Sequence, residues 1–520
     1  MRIYIKLIIV LLIFTVNEVI SQNRWLNIYH DDTDAPGEYI IESYDHGYLL
    51  LGRHEANYPK YNWLIKTDLN GDILWEKTFG EGTSPLVLRE MAQNSSGEIY
   101  LVGSTYYYNE YRDPIIIKLD SCGEKQWCKV FSYPDNMWDI ADCIVITPDA
   151  GAAVTINFIG PTGWTDRICL TRFMPDGELL WTKCYNSTDT SLRNEDDYNL
   201  ITTPDNGFLI TGFCYYEDPT HPNLYWPEPY YIKVDSTGEF QWEKVIHKDD
   251  PLIGGVAWST IVSPDSLYYY SSISHYYYDN NTSTPALVKM DMQGEVVDIY
   301  DLAPANYYGK LFQSVFISDS TLAGSAIWGS ETEATPQAVI FDTLGNILDS
   351  AFLLDNDYLS YVRKTYDNKL LYFTEMLDEN DNFDAYLFKL NQQLESDTTY
   401  TQWFNYDSLC PHQVVSDTIV QDNCGLIVGD VEIKNEPQKE DIIIYPNPAK
   451  NNFSVRCQLF ENNKCKIEVF DIFGGKIVET ITTPGENTAQ MDIARWKTGL
   501  YMVRISKDGK VVGSGKVVVE

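Results

Sequence analysis

The chain has 520 residues, 44% apolar and 22% charged, proportions that exclude wholesale disorder and point to several domains or a repeat array. Its 38 basic and 75 acidic residues leave a net charge of −37, which argues against nucleic acid and against anionic lipid surfaces as partners. Aromatic residues reach 14%, led by 38 Tyr and 13 Trp, and with 32 Gly and 23 Pro as punctuation the balance leans toward an all-β protein.

Residues 1–21 read as a secretory signal, with basic Arg2 and Lys6, an apolar run from Leu7 to Val16, and Val19-x-Ser21 as the cleavage pattern. The run is too short for a bilayer core, which needs about 20 residues. No later run reaches spanning length, so a chain without a transmembrane segment is expected. Export permits disulfides among the ten Cys. Cys169 and Cys184 flank the turn "MPDG" almost symmetrically, and Cys457 and Cys465 flank "FENNK", so each pair would face across an antiparallel hairpin. Cys410 and Cys424 could close a loop further on. No C-x-x-C spacing supports a zinc site.

Residues 22–404 carry one recurring pattern, clearest as "KTDLNGDILWEKTF", "KLDSCGEKQWCKVF", "RFMPDGELLWTKCY" and "KVDSTGEFQWEKVI". Its anchor glycines are Gly71, Gly123, Gly177, Gly238, Gly294 and Gly345, with Leu394 in the seventh place, at a mean period of about 54 residues. A second turn-plus-strand landmark precedes each anchor, as in "DHGYLLLG" and "DNGFLITG". Four short strands per repeat, with no helix-period stretch between them, describe a β-propeller of seven blades, with six or eight still open. "RWLNIY" at Arg24–Tyr29 resembles the Trp-bearing strand. It is therefore expected to complete a blade whose other strands lie near residues 358–391, although 395–404 could serve instead.

The D-x-x-G turns at Asp68, Asp120 and Asp235 read as structural, with Asp accepting backbone N–H bonds and Gly tolerating positive φ. Trp75, Trp127, Trp181 and Trp242, four residues after the glycines, are expected to pack between blades. The motif resembles the tryptophan-docking motif of quinoprotein propellers and the Asp box of sialidases, one residue out of step with each; both are structural elements.

Residues 405–441 hold two Cys and then the polar run "IKNEPQKED", a brace followed by a linker. Residues 442–520 change character, with eleven basic and eight acidic residues, net +3, which leaves −40 for the rest. Alternating strands predict a small immunoglobulin-like β-sandwich. Tyr445-Pro446-Asn447-Pro448, "FDIFGGKIV", Gly499-Leu500-Tyr501 and a Lys-rich final strand resemble the type A C-terminal sorting domain of the type IX secretion system in Bacteroidota. That resemblance implies passage through the periplasm, handling by the type IX machinery, and release or attachment at the outer cell surface.

Catalytic motifs are thin: seven His are scattered, and there is no H-E-x-x-H, G-x-S-x-G or P-loop. Carboxylates in a central channel remain the basis for an alternative reading as a carbohydrate-active or other hydrolytic enzyme. The stronger lead is Tyr. Clusters such as Tyr106–Tyr107–Tyr108 and Tyr276–Tyr277–Tyr278 fall near the loop between the second and third strands, and would either form a binding face for glycan or protein or pack between blades. Ca²⁺ at the acidic run Asp378–Asp384 is the one cofactor the residues suggest. The reading is therefore a monomeric, exported binding or adhesion propeller.

Overall fold

A computed structural model describes residues 25–29, 35–54, 61–80, 86–105, 112–132, 139–159, 165–185, 192–217, 225–246, 253–277, 282–302, 308–330, 333–353, 360–377, 382–397, 399–400, 404–420, 423–428, 443–456, 464–470, 476–482, 485, 488–494, 496–507 and 510–519. The signal segment, Tyr106–Tyr108, Tyr278, Cys457 and most of the acidic run from Asp378 lie outside the described residues. The described chain is all strand and turn, and the division between its two compact units falls after Glu432.

Seven four-stranded antiparallel blades make up the first unit. Blade I runs Gly37–Glu42, Tyr48–His54, Tyr61–Thr67, Ile73–Phe79 from its first strand to its fourth, and blades II to VI repeat the order, starting at Leu86, Ile140, Leu192, Ile253 and Tyr308. Blade VII takes Ser360–Lys364, Leu370–Leu377 and Phe383–Leu390 from the end of the array and Leu26–Tyr29 from its beginning. Leu26 faces Phe388 and Tyr29 faces Ala385 in that antiparallel pairing, so the ring closes as its first strand anticipates and 395–404 does not supply the strand.

The apolar core is divided among the junctions between blades. Leu49, Leu51 and Leu64 of blade I pack on Leu86, Leu88 and Leu101 of blade II. The last junction sets Leu371 and Phe373 of blade VII, with Trp25 and Tyr29, against Ile40, Tyr48 and Leu50 of blade I. Because each blade buries its two faces only against neighbours, the array behaves as one cooperative ring.

The repeat motif performs the docking. Asp68 Oδ1 accepts the backbone N–H of Asn70 at 2.8 Å and of Asp72 at 2.9 Å, and Asp120 and Asp235 repeat the arrangement. Gly238 sits at φ +77°, and a Cβ there would lie 2.7 Å from the ring of Trp181 in the preceding blade. Gly177 meets Trp127 and Gly294 meets Trp242 in the same way, so each Trp seats on the glycine turn of the next blade. Leu394 occupies the seventh turn at φ +57°. An ion pair to a buried lysine recurs at the second landmark: Lys66 with Asp45 at 2.5 Å, Lys233 with the half-exposed Asp205 at 2.9 Å, and Lys389 with Asp367 at 2.8 Å.

The segment after the ring turns back as a strap. Asp417–Ile419 adds in parallel to the outer strand of blade I, and Gly425–Val428 to that of blade II. Cys410 bonds Cys122, and Cys424 bonds Cys128, across 288 and 296 residues of chain. The expected Cys410–Cys424 loop is therefore corrected, because the strap lays each cysteine over a different site on blade II instead of bringing the two together. Cys169 and Cys184 are joined across their hairpin.

The second unit is a sandwich of a three-stranded sheet (Ile443–Tyr445, Asn452–Arg456, Thr488–Asp492) and a four-stranded sheet (Lys476–Ile481, Lys466–Phe470, Gly499–Lys507, Lys510–Val519). Phe453, Val455, Val503 and Val517 fill its core, where Cys465 is also buried.

Two expectations test this account. Gly238→Ala forces a side chain into the left-handed region and against Trp181, and should cost roughly 1–3 kcal/mol, read as a lower denaturant midpoint. Replacing Cys128 and Cys424 together by Ser opens the longest covalent loop. With Cys122–Cys410 still closed, the loop released is only about 20 residues, for which the chain-entropy treatment gives on the order of 3 kcal/mol, so the thermal midpoint should fall, and an unchanged midpoint would show this tie to be energetically idle.

Candidate functional site: the axial pocket

The first strand of each blade borders the channel, and in six blades its pairing with the second strand is interrupted by a bulge. The register shifts fall at Glu38, Arg89, Asp142–Cys143, Tyr198, Trp258 and Phe312. A bulge places an extra residue where regular alternation would turn it away, and re-aims its side chain. All six positions line one pocket of about 380 Å³, with Tyr361 contributed by blade VII. That volume lies in the range of small-ligand sites.

The two sides of the pocket differ. Blades IV to VI supply a stack of rings: Tyr198 lies on Trp258 with centroids 4.9 Å apart and planes 21° apart, and Phe312 meets Trp258 edge-on at 5.4 Å. Trp258 is fixed by donating its indole N–H to Ser274 Oγ at 2.7 Å. On the side of blades VII and I, Tyr39 and Tyr361 meet edge to face at 5.1 Å, with the guanidinium of Arg363 over both.

Blades II to IV supply the carboxylates. Asn157 Nδ2 donates to Asp142 Oδ2 at 2.8 Å and to Asp196 Oδ1 at 2.9 Å, which holds those two oxygens within about 6 Å of each other. Thr155 donates its hydroxyl to Asp197, and its oxygen accepts the Cys143 backbone N–H at 3.1 Å. Burial, and then the neighbouring Asp142, raise Asp197 to about 7. Burial and the charges of Asp142 and Asp197 push Asp196 well above the usual carboxylate range. Burial raises Asp142 too, against the pull of Arg89, and raises Glu90 to about 8 despite a hydrogen bond with Tyr39 and the nearby Arg363. Glu38, by contrast, is ion-paired with Arg53 and lies 3.9 Å from Arg89.

Several buried polar atoms on the pocket wall have no hydrogen-bond partner: Asn157 Oδ1, Asp197 Oδ1, Ser259 Oγ and Arg89 Nε. Buried polar groups in folded proteins are normally satisfied, so orphans gathered around one cavity mark a place made for a polar occupant.

The Tyr clusters separate by position. Tyr230 and Tyr231 are buried between strands, with Tyr231 donating to Ser271 Oγ at 2.9 Å. Tyr277 bonds Asp301 at the end of its strand. Tyr276 is raised to about 12 by burial, and its phenol feels Tyr308 and Tyr215, while Tyr198 in turn feels Tyr215 and Tyr276. Tyr276 therefore belongs to an aromatic group that adjoins the pocket. None of the pocket's own residues was singled out in the sequence. Their signal was present as acidic or charged residues in first strands that should be apolar, as in "NEDDYN" and "LREMA".

In the sandwich, Asn447 stitches the Tyr445–Pro448 segment to the last strand, donating to Lys516 O and accepting from Val518 N, both at 2.9 Å. Tyr501 is buried beside Trp496, and its hydroxyl donates to Lys497 O at 2.8 Å. Hydrogen bonds from Arg504, Lys466 and Lys476 hold Glu468 near 2.

Residues 443–520 match the family model of the secretion system C-terminal sorting domain. The chain is thus a type IX secretion cargo, a β-propeller followed by a sorting domain, destined for secretion or attachment at the outer cell surface. No curated protein matches it in sequence. Among solved structures it is similar to a polysaccharide lyase, Uly1 (10% identity, 72% of this chain and 94% of that one, TM-score 0.44). It is also similar to a protein of unknown function from Dyadobacter fermentans (10%, 70% and 97%, 0.43) and to an α-L-arabinanase of Penicillium chrysogenum complexed with arabinobiose (11%, 57% and 91%, 0.37). No functional argument rests on likenesses at these scores.

The raised Glu90 carries a pH prediction. Its folded pKa of about 8 stands above the ordinary glutamate value of 4.5, so its contribution to stability is fully present below 4.5 and is lost as pH rises through 8. The protein should melt lower at pH 8.5 than at pH 5.5, and Glu90→Gln should shrink that difference. Equal slopes in both proteins would refute a protonated Glu90.

Proposed function

We propose that the exported propeller binds a carbohydrate in its axial pocket. The observation that carries this reading is the meeting of the Tyr198–Trp258–Phe312 wall and the Asp142–Asn157–Asp196 cluster in the lining of one small cavity. A sugar ring has apolar C–H faces and a hydroxyl-bearing edge; the first suits flat aromatic rings and the second suits fixed polar groups. Tyr215, Tyr276 and Tyr308 extend the aromatic surface beside the pocket, so a chain of several sugars would find further contacts there.

Hydrolysis at the same place is a second reading, favoured by one observation. The Asp142 and Asp196 oxygens shared by Asn157 fall near the separation at which paired carboxylates cleave glycosidic bonds with retention.

A glycan array probed with the full chain should show specific binding. Trp258→Ala or Tyr198→Ala should weaken the best hit about 10- to 100-fold in titration calorimetry, in keeping with the loss of a well-buried aromatic contact. Product appearing on prolonged incubation, and absent with Asp196→Asn, would select the hydrolytic reading. An array with no hits would remove carbohydrate as the ligand.

A further inference from the structure

Among the described residues the pocket holds more negative than positive groups, and its cations are already committed. Arg53 and Arg89 lie against Glu38, and Arg363 donates to Gln313 and to Ile40 O. None of Asp142, Asp196 and Asp197 has a Lys or Arg nitrogen within ion-pair distance among the described residues; Arg89 acts on Asp142 and Asp196 only from beyond contact. The three carboxyl groups are instead held by neutral donors, Asn157 and Thr155. This is an unusual way to keep buried carboxylates, which are normally paired or coordinated.

The orphaned atoms point the same way. Asn157 Oδ1 and Asp197 Oδ1 are acceptors without donors, on residues each 2% exposed, and Ser259 Oγ is a third oxygen able to accept. In the same lining stand Tyr198 and Trp258, electron-rich rings that attract a cation. Trp258 already takes one on the blade VI side, with Lys310 Nζ 5.5 Å from its ring centroid. An ammonium group supplies what the pocket lacks: a positive charge and three N–H donors on a single centre.

Resting on the reading of the pocket as the carbohydrate site, we propose that it selects an amine-bearing sugar, whose ammonium docks among Asp196, Asp197 and Asn157 while the ring lies on Tyr198 and Trp258. A neutral sugar would bring these carboxyl groups no counter-charge, and an acidic sugar would place a further negative charge beside them. The raised carboxyl groups support this in a further way. A cation entering beside them favours their charged forms, so binding is expected to strengthen as pH rises from 5.5 toward 7.5, until the amine itself deprotonates.

The test is titration of the full chain with the glucosamine trimer and, separately, with its fully N-acetylated counterpart, which has the same ring and linkage but no charge. The expected result is at least tenfold tighter binding of the amine form, tightening with pH, and loss of that preference in Asp197→Asn and in Asp196→Asn. Thermal melts of both variants confirm that they remain folded. N-acetylated trimer bound as tightly as the amine overturns the proposal while leaving a carbohydrate pocket in place. Absence of binding by either trimer, with the wild-type melt intact, overturns it as well, and the glycan array then decides the broader reading independently. CaCl₂ alone forms a further arm: millimolar Ca²⁺ that raises the melting temperature of the wild type and not of Asp197→Asn would assign the carboxyl groups to a metal and overturn the amine.

Discussion

Everything in the propeller depends on circular closure. Each blade is a twisted sheet whose two apolar faces can be covered only by its neighbours, and the row of junctions must end where it began. Leu26–Tyr29 meets that requirement by pairing with Phe383–Leu390, which draws the first strand of the array into its last blade. Trp-on-glycine contacts join blades I to V in succession, and the buried Lys–Asp pairs tie the turn after the first strand to the third strand of the same blade. The first strands share in the packing between blades through residues such as Ile40, Leu86 and Leu88, and only their channel-facing positions are spared it. They are free to carry bulges.

That division of labour accounts for the pocket. A strand buried on both faces has no place for Glu38, Arg89 or Asp142, whereas a bulge at the channel wall gives each a direction that is neither face. Burial without enough counter-charge then drives the carboxyl groups upward in pKa, a state that costs stability and is retained where a ligand or a reaction uses it.

The scaffold was legible in the sequence because it is written seven times over. The glycine turn, the Trp four residues later and the stray Trp-bearing strand at Arg24–Tyr29 each recur with a physical reason, and the Tyr445–Pro448 and Gly499–Tyr501 motifs lie in order in the sandwich. The pocket is written once. Asp142, Asp196 and Trp258 come from three successive blades, each more than fifty residues from the next, and the bulges in their strands break the period-two alternation by which a strand is read. An Asp in a long acidic chain looks like one more turn or surface residue until the ring brings it against another. The Cys410–Cys424 guess failed for a related reason: nearness along the chain stood in for nearness in space, and the strap pairs each cysteine with a partner on blade II.

The strap has a mechanical consequence. Export by a C-terminal sorting domain delivers any pull to the chain just beyond Val428, at the end of a strand laid parallel to Lys125–Ser132. Force applied there loads a row of hydrogen bonds in shear together with the Cys128–Cys424 bond, so it enters the ring at blade II and bypasses the closing strand pair of blade VII. A propeller hauled by its tail would unravel most readily from its last blade. In this chain the covalent tie turns the tail into a tow point on the second blade.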